Sequence, residues 1–145
     1  MIRFPAAAAA LLVLTGCGGV SFERHQGLQE ITLRGEIKDY YEEVKSAFAA
    51  RSAESLAALF DAGISRPMTW PKILAWARTF FAENASVVFH IKKLDFRDLG
   101  RERAVVELHY SVTTFGGKGD FEGQELDILE KRAGGHWRIV SWEKL

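Results

Sequence analysis

The chain has 145 residues, of which 48% are hydrophobic and 12% aromatic, enough apolar material for one domain with a packed core. Its 19 basic and 19 acidic side chains balance to a formal net charge of +0, which gives no electrostatic reason to expect nucleic-acid binding. Cys17 is the only cysteine, so a disulfide or a cysteine-based metal cluster within one chain is excluded.

The first stretch of the chain is typical of an export signal. Arg3 precedes an apolar run from Phe4 to Leu14, about half the roughly 20 residues that a membrane-spanning helix needs. The next residues, Leu14-Thr15-Gly16-Cys17, resemble the lipobox of bacterial lipoproteins. This resemblance implies cleavage before Cys17 and acylation of its sulfur and new amino group with chains such as palmitate. The alternative is an ordinary secreted protein with an incidental cysteine.

The resemblance also predicts where the mature protein is located. Two or more acyl chains are enough for stable anchoring in a membrane. The predicted partner is therefore a membrane, which the chain contacts through acylated Cys17. Gly18 after the cysteine is similar to lipoproteins sent to the periplasmic face of an outer membrane, if the source has one. The polar residues that follow predict a flexible tether. The predicted organisation is a signal peptide over residues 1–16, an acylated cysteine and tether over 17–31, and one domain over 32–145.

A first helix is predicted from about Leu33 to Ala50, with Thr32 as its N-cap. Apolar residues recur there at three- and four-residue steps, which indicates one buried face. That face comprises Leu33, Ile37, Tyr40, Tyr41, Val44 and Phe48.

Two more helices are predicted before the first strand. Ser52 is expected to cap a short second helix that continues to Phe60, with Gly63 in a left-handed turn after it. Pro71 fits the first position of a third helix, where its missing N–H costs nothing, and this aromatic-rich helix is expected to end near Ala82.

The second half of the chain predicts four consecutive antiparallel strands. They are Val87–Phe96, Arg103–Phe115, Asp120–Arg132 and His136–Trp142. Glycine-containing breaks between them supply the positive φ angles that hairpins need. Alternation assigns Val106 and the residues of its parity to the helix-covered face, and Val105 and its set to the outer face. A bulge is predicted near Lys92-Lys93, because the apolar residues before and after it have opposite parity.

This order of elements, ending in the run from Gly135 to Trp142, resembles the nuclear transport factor 2-like (SnoaL-like) superfamily. The resemblance covers about Thr32 to the C-terminus and implies an α+β cone with three helices on a curved antiparallel sheet and a pocket between them. Its members include ketosteroid isomerase, scytalone dehydratase and many proteins without catalysis, so the fold leaves function open. It also implies a homodimer through the outer face of the sheet, where Val105, His109, Val140 and Trp142 are the expected contacts.

The residues expected to line the implied pocket are mostly aromatic. They are Tyr40, Tyr41, Asp61, Trp70, Trp76, Phe80 and Tyr110. Asp61 lies where family members often place an acidic residue, and burial beside a tryptophan would raise its pKa enough for it to act as a base. His90 or Tyr110 is its candidate partner. The alternatives are an exposed turn aspartate, a surface histidine and core tyrosines with satisfied hydroxyls.

The four histidines include no closely spaced pair on one element, so no metal site is predicted. No glycine-rich phosphate loop joins a strand to a helix, and no cofactor is expected. Two hypotheses remain. The first is a lipid-anchored, non-catalytic domain that binds a small apolar or amphipathic ligand or an envelope protein. The second is a small envelope isomerase, dehydratase or hydrolase that uses Asp61 with His90 or Tyr110.

Overall fold

The computed structural model describes residues 19–116 and 119–145, the side chains of residues 19–26 excepted. Three helices precede four strands. They are α1 (Gly19–Ala49), α2 (Ala53–Ala57), α3 (Trp70–Glu83), β1 (Ser86–Leu99), β2 (Arg103–Phe115), β3 (Phe121–Lys131) and β4 (Trp137–Lys144). The strands form one antiparallel sheet in the order β1-β2-β3-β4, so the predicted α+β class and meander are confirmed. The residues of Val106 parity on β2 are buried on the helix-facing side, as alternation predicts.

Helix α1 begins much earlier than predicted, at Gly19 rather than Leu33. Thr32 is not an N-cap: its Oγ1 donates to the carbonyl oxygen of Leu28 at 3.0 Å, a bond made inside a helix. Leu28 and Ile31 are 61% and 68% exposed, so residues 27–31 carry no buried stripe by which periodicity could extend the predicted helix. Residues 19–31 of the predicted tether are therefore helical, while Cys17 and the signal peptide lie outside the described residues.

The chain is no longer helical after α2, and it pairs there with β4. Ser52 caps α2 as predicted, since its side chain accepts from the Ser55 N–H at 3.2 Å. The helix ends before Phe60, which forms a parallel bridge with Ile139 of β4. Gly63 does not adopt the predicted left-handed turn, because its N–H donates to Asp61 Oδ2 at 3.0 Å in a turn that needs no positive φ.

Bulges decide which strand residues face the helices. On β1, Ile91 pairs with Tyr110 and Lys93 with His109, so Lys92 is the extra residue and the predicted bulge is confirmed. A second register shift at Arg97 lies beyond the predicted end of β1.

A third bulge overturns one prediction for β4. Val140 has no partner on β3, so Trp142 pairs with Asp127 and contacts Phe60 at 5.3 Å between ring centroids. Trp142 therefore lies on the helix-facing side. Its assignment to the outer face was wrong, because simple alternation was counted through the bulge. No helix within the described ranges has both the length and the hydrophobicity to cross a bilayer.

Candidate functional site

Four polar side chains meet on the helix-facing side of the sheet, and we call them the inner polar cluster. They are Tyr41 of α1, Tyr110 of β2, and Glu125 and Asp127 of β3. Glu125 and Asp127 are two residues apart on one strand, so both point to the same face. Register places them opposite Leu108 and Val106, which belong to the buried set of β2. Carboxyl groups thus lie inside the apolar layer between helix and sheet.

Asp127 is the most deeply buried member of the inner polar cluster. Its side chain is 0% exposed, and the Tyr41 hydroxyl donates to its Oδ2 at 2.5 Å. Burial, followed by the nearby Glu125 carboxyl, raises the pKa of Asp127 well above its ordinary value. Its Oδ1 is buried and has no hydrogen-bond partner among the described residues. Asp127 therefore holds its proton to higher pH than an ordinary aspartate does.

Glu125 and Tyr110 form the second half of the cluster. Burial is the main cause that raises the pKa of Glu125, whose side chain interacts with both Asp127 and Tyr110. Burial, followed by the neighbouring carboxyl groups of Glu125 and Asp127, raises the pKa of Tyr110 to about 12. The Tyr110 ring lies directly over Gly123, because a Cβ at Gly123 would be only 2.7 Å from the Tyr110 oxygen. The absence of a side chain at Gly123 therefore determines the position of the Tyr110 ring.

A groove of about 400 Å³ lies between α1 and β1, and we call it the α1–β1 groove. Its walls are Lys38, Tyr41, Glu42 and Lys45 from α1, and Phe89, His90, Ile91 and Leu94 from β1. Two wall residues connect it to the inner polar cluster: Tyr41 belongs to both, and Phe89 stacks on Tyr110 with ring centroids 5.1 Å apart. Its volume is in the range of small-molecule sites, about 300–1,000 Å³.

Asp61 does not have the environment that the sequence suggested. Its Oδ1 accepts from Arg132 Nε at 2.7 Å and its Oδ2 from the Gly63 N–H. The Arg132 guanidinium is the largest cause that lowers the pKa of Asp61, so the expected raised pKa is wrong. His90 is exposed on the outer face of the sheet, paired with Ser111. Within the described residues, no hydrogen bond or ion pair joins Asp61 to His90 or Tyr110.

The other predicted pocket residues separate into groups. Trp76, 41% exposed, stacks on Phe80 at 5.1 Å, and Phe121 connects Phe80 to Tyr110 through ring contacts of 5.7 and 6.3 Å. Trp70 lies apart from this chain of rings, with its indole N–H donated to the Ala57 carbonyl at 2.8 Å.

Tyr40 contacts Tyr41 edge-on at 5.2 Å, and its hydroxyl donates to the Leu59 carbonyl at 2.9 Å. It also lines a smaller cleft of about 170 Å³ beside the start of β4. Tyr40 and Tyr41 therefore have satisfied hydroxyls. The sequence analysis did not identify the carboxyl groups of Glu125 and Asp127 on β3 as site residues. Their signal was present in the sequence as charged residues with the parity of buried Leu129.

The outer face of the sheet is more polar than we expected for the predicted dimer interface. Val105 and His109 lie on it, but between them Glu107 binds His109 Nε2 at 2.7 Å and the Arg97 guanidinium. His109, followed by Arg97, lowers the pKa of Glu107 to about 2. The homodimer stays a prediction, now without Trp142 among its contacts. No group of three or more His, Cys, Asp or Glu side chains in the described part of the chain is placed to bind a metal ion.

Comparison with known proteins supports the fold through structure alone. No protein-family model matches the chain, and no curated protein sequence matches it. A candidate scytalone dehydratase from Novosphingobium aromaticivorans superposes with a TM-score of 0.68 at 14% identity, covering 79% of this chain and 83% of that one. A nuclear transport factor 2-like superfamily protein from Salmonella enterica gives 0.63 at 16%, covering 79% and 90%.

A protein of Bdellovibrio bacteriovorus gives a TM-score of 0.65 at 11% identity, covering 77% of this chain. The matched region spans 41% of that longer protein. The described elements and these superpositions agree on helices followed by a four-stranded antiparallel sheet. The chain therefore has the nuclear transport factor 2-like fold, with the α1–β1 groove and the inner polar cluster between its first helix and its sheet.

Proposed function

We propose that this chain is a lipid-anchored protein of the cell envelope whose domain binds a small amphipathic molecule in the α1–β1 groove without chemical conversion. The observation that carries the proposal is the composition of the groove. One wall is apolar, formed by Phe89, Ile91 and Leu94 of β1, and the facing wall of α1 carries charged side chains. Such a pairing of an apolar surface with a few polar groups is typical of small-molecule sites.

The separation of Asp61 from His90, its expected acid–base partner, supports binding rather than catalysis. Asp61 is held by Arg132, and His90 lies on the opposite face of the sheet from the helices. A general base and its partner must be within hydrogen-bonding reach of one substrate. The predicted use of Asp61 with His90 or Tyr110 therefore receives no support from the described contacts.

The anchor is supported by the sequence. Cys17 follows an apolar export signal directly and is the only cysteine of the chain. Each buried CH₂ of an acyl chain contributes about 0.8 kcal/mol, so a multiply acylated cysteine would hold the domain at a bilayer stably. Replacement Cys17→Ala should abolish metabolic labelling with radioactive palmitate. Labelling that survives the replacement would contradict the anchor.

Native mass spectrometry of the full chain, purified from membranes in mild detergent, tests ligand binding. We expect a bound small molecule in addition to the acylated protein mass. The variant Leu94→Arg should lose that adduct, because it places a charge on the apolar wall of the groove. Ile31→Arg, which introduces the same charged side chain at a 68% exposed position of α1, is the matched control and should keep it. No adduct, or equal loss in both variants, would contradict binding in the groove.

The inner polar cluster supports a second candidate function, an isomerase or dehydratase. In this function a protonated Asp127, which the Tyr41 hydroxyl connects to the α1–β1 groove, would donate to a developing oxyanion. Two of the similar structures are described as candidate dehydratases, from Novosphingobium aromaticivorans and Streptomyces avermitilis. In this function Asp127, Glu125 and Tyr110 replace the predicted Asp61 pair.

Proton exchange at the α-carbon of a small cyclic ketone in D₂O, followed by NMR, tests this second function. Wild-type protein should accelerate the exchange, and Asp127→Asn should remove the acceleration while leaving the circular dichroism spectrum unchanged. A carboxyl ¹³C titration that places the pKa of Asp127 in the ordinary range would contradict its role as a proton donor.

A further inference from the structure

We infer that the ligand of the α1–β1 groove is an anionic single-chain amphiphile, with its headgroup on Lys38 and its aliphatic chain along the apolar wall of β1. This inference rests on the proposed function and adds the chemical class of the ligand. Carboxylate and phosphate headgroups share the chemistry that Lys38 would recognise.

The charges of the α1 wall are unbalanced in favour of the cation. Lys38, Glu42 and Lys45 follow one another at helical spacing on the face that lines the groove. Both carboxylate oxygens of Glu42 accept from Lys45 Nζ at 2.9 Å, so that pair is internally neutralised. Lys38 is exposed and has no hydrogen bond or ion pair among the described residues. One uncompensated ammonium group therefore remains at the groove.

The opposite wall of the groove is shaped by the bulge at Lys92. Phe89 and Ile91 precede the bulge and Leu94 follows it, and all three pair with helix-facing residues of β2. Without the extra residue, alternation would turn Leu94 to the outer face. The bulge thus extends one continuous apolar wall from Phe89 to Leu94, about 13 Å along the strand because it lies opposite the four-residue step from Val112 to Leu108. An aliphatic chain can lie along such a wall while its headgroup remains near α1.

The floor of the groove does not compete with Lys38 for an anion. Tyr41 is the groove residue that leads inward, and its hydroxyl is already donated to Asp127. The floor therefore offers no free donor that would draw the headgroup away from Lys38. Glu42, the acidic residue that lines the groove, forms an ion pair with Lys45. Among the side chains of α1 that line the groove, Lys38 is left as the polar determinant.

Calorimetry with four eight-carbon probes tests the inference: octanoate, octyl phosphate, octyltrimethylammonium and octanol. The full chain is held in phosphatidylcholine nanodiscs, and the heat from empty nanodiscs is subtracted. Octanoate and octyl phosphate should bind about tenfold or more tightly than the other two probes, since a charge-assisted bond contributes more than about 1.4 kcal/mol. A difference between the two anions would identify the preferred headgroup.

The variant Lys38→Glu should weaken the two anions about tenfold or more and leave octanol unchanged. Lys72→Glu is the matched control, because Lys72 is also exposed but lies on α3 and does not line the groove. Lys38→Gln provides a neutral replacement should the charge reversal perturb folding. Equal weakening by Lys38→Glu and Lys72→Glu would overturn the inference, because it would indicate a general effect of net charge.

The remaining outcomes separate the inference from the proposed function. Equal affinity for all four probes, abolished by Leu94→Arg, would overturn the anionic ligand and leave binding in the groove intact. Absence of binding by every probe, together with no adduct in native mass spectrometry, would overturn both. Tighter binding of octyltrimethylammonium than of octanoate would overturn the inference alone.

Discussion

Asp61 and Asp127 carry the same carboxyl group, yet their surroundings shift their pKa values in opposite directions. Asp61 lies at the junction between the segment after α2 and β4, partly exposed, where the Arg132 guanidinium lowers its pKa. Asp127 is fully buried on β3, and among the described residues its hydrogen-bond donor is the uncharged hydroxyl of Tyr41. Burial there raises its pKa well above the ordinary value.

This contrast shows where an unusual acid is to be sought in this domain. A position after a helix suggested Asp61, but the neighbouring Arg132 guanidinium lowers the pKa of that carboxyl and keeps it ionised. An inward-facing strand position, where burial and the nearby Glu125 carboxyl raise the pKa, produces the perturbed group. The surroundings of the carboxyl therefore decide its chemistry, and the following changes would break or sharpen the contrast.

Tyr41→Phe should have the largest effect, because it removes the hydroxyl that donates to buried Asp127 Oδ2. We expect the free energy of unfolding at neutral pH to fall by about 1–3 kcal/mol, measured by urea denaturation with tryptophan fluorescence. Tyr40→Phe is the matched control. Tyr40→Phe removes one of two donors to the Leu59 carbonyl, which still accepts from the Ile139 N–H at 3.1 Å. The unfolding free energy should therefore fall less in this variant. Equal losses would contradict a special role for Asp127.

Gly123→Ala should disturb the same region from the other side. The new Cβ would lie 2.7 Å from the Tyr110 oxygen, so the ring must move from its place beside Glu125. Overpacking of this kind costs about 1–3 kcal/mol of unfolding free energy. Gly35→Ala is the control, because a Cβ there meets nothing within 4 Å, and this helical position should gain roughly 0.5–1 kcal/mol. A neutral Gly123→Ala would show that Tyr110 is free to move.

Asp127→Asn should change how stability depends on pH. Because the folded pKa of Asp127 is raised, the native state binds more protons than the unfolded chain between the ordinary carboxyl range and the folded pKa. The contribution of Asp127 to wild-type stability should therefore be greatest below the ordinary range and be lost as pH rises through the folded pKa, by at most about 1.4 kcal/mol per pH unit. The asparagine variant should lose part of that decline, and Glu125 should retain the rest. Parallel profiles from pH 4 upward would contradict burial of a titrating Asp127.

Asp61→Asn should have the smallest effect and the opposite sign with pH. Its lowered pKa contributes stability that is present above the ordinary carboxyl range and is lost as pH falls through the folded value. Since the pair with Arg132 is partly exposed, we expect a loss of about 0–1 kcal/mol at neutral pH. Thermal unfolding of Asp61→Asn and Arg132→Gln should agree. A larger loss than that of Tyr41→Phe would reverse the ranking of the two aspartates.

Local patterns predicted the sheet well, because alternation and glycine-containing turns are read directly from neighbouring residues. The bulge at Lys92 was predictable, since apolar residues on its two sides had conflicting parity. The bulge at Val140 was not, because both faces of β4 looked apolar and no conflict arose. The early start of α1 was missed because Leu28 and Ile31, the apolar residues just before the predicted start, are exposed and extend no buried stripe.

The site was less predictable than the fold, because it is assembled from distant parts of the chain. Asp127 lies 86 positions from Tyr41 in sequence, and nothing local marks their contact. Glu125 and Asp127 could be placed on the inner face only by continuing the parity of Leu129. The free charge of Lys38 depends on which cations already have partners, and that requires coordinates.

The irregular backbone of β1 also hinders strand pairing between copies of this molecule. β1 is an edge of the sheet, and an edge with free backbone groups can recruit a strand from another molecule. Two register shifts interrupt the even spacing that such recruitment requires, and Lys92, Lys93 and Arg97 place charges along the same edge. Concentrated solutions of this domain should therefore resist fibril growth, although its strands are rich in valine, isoleucine and phenylalanine.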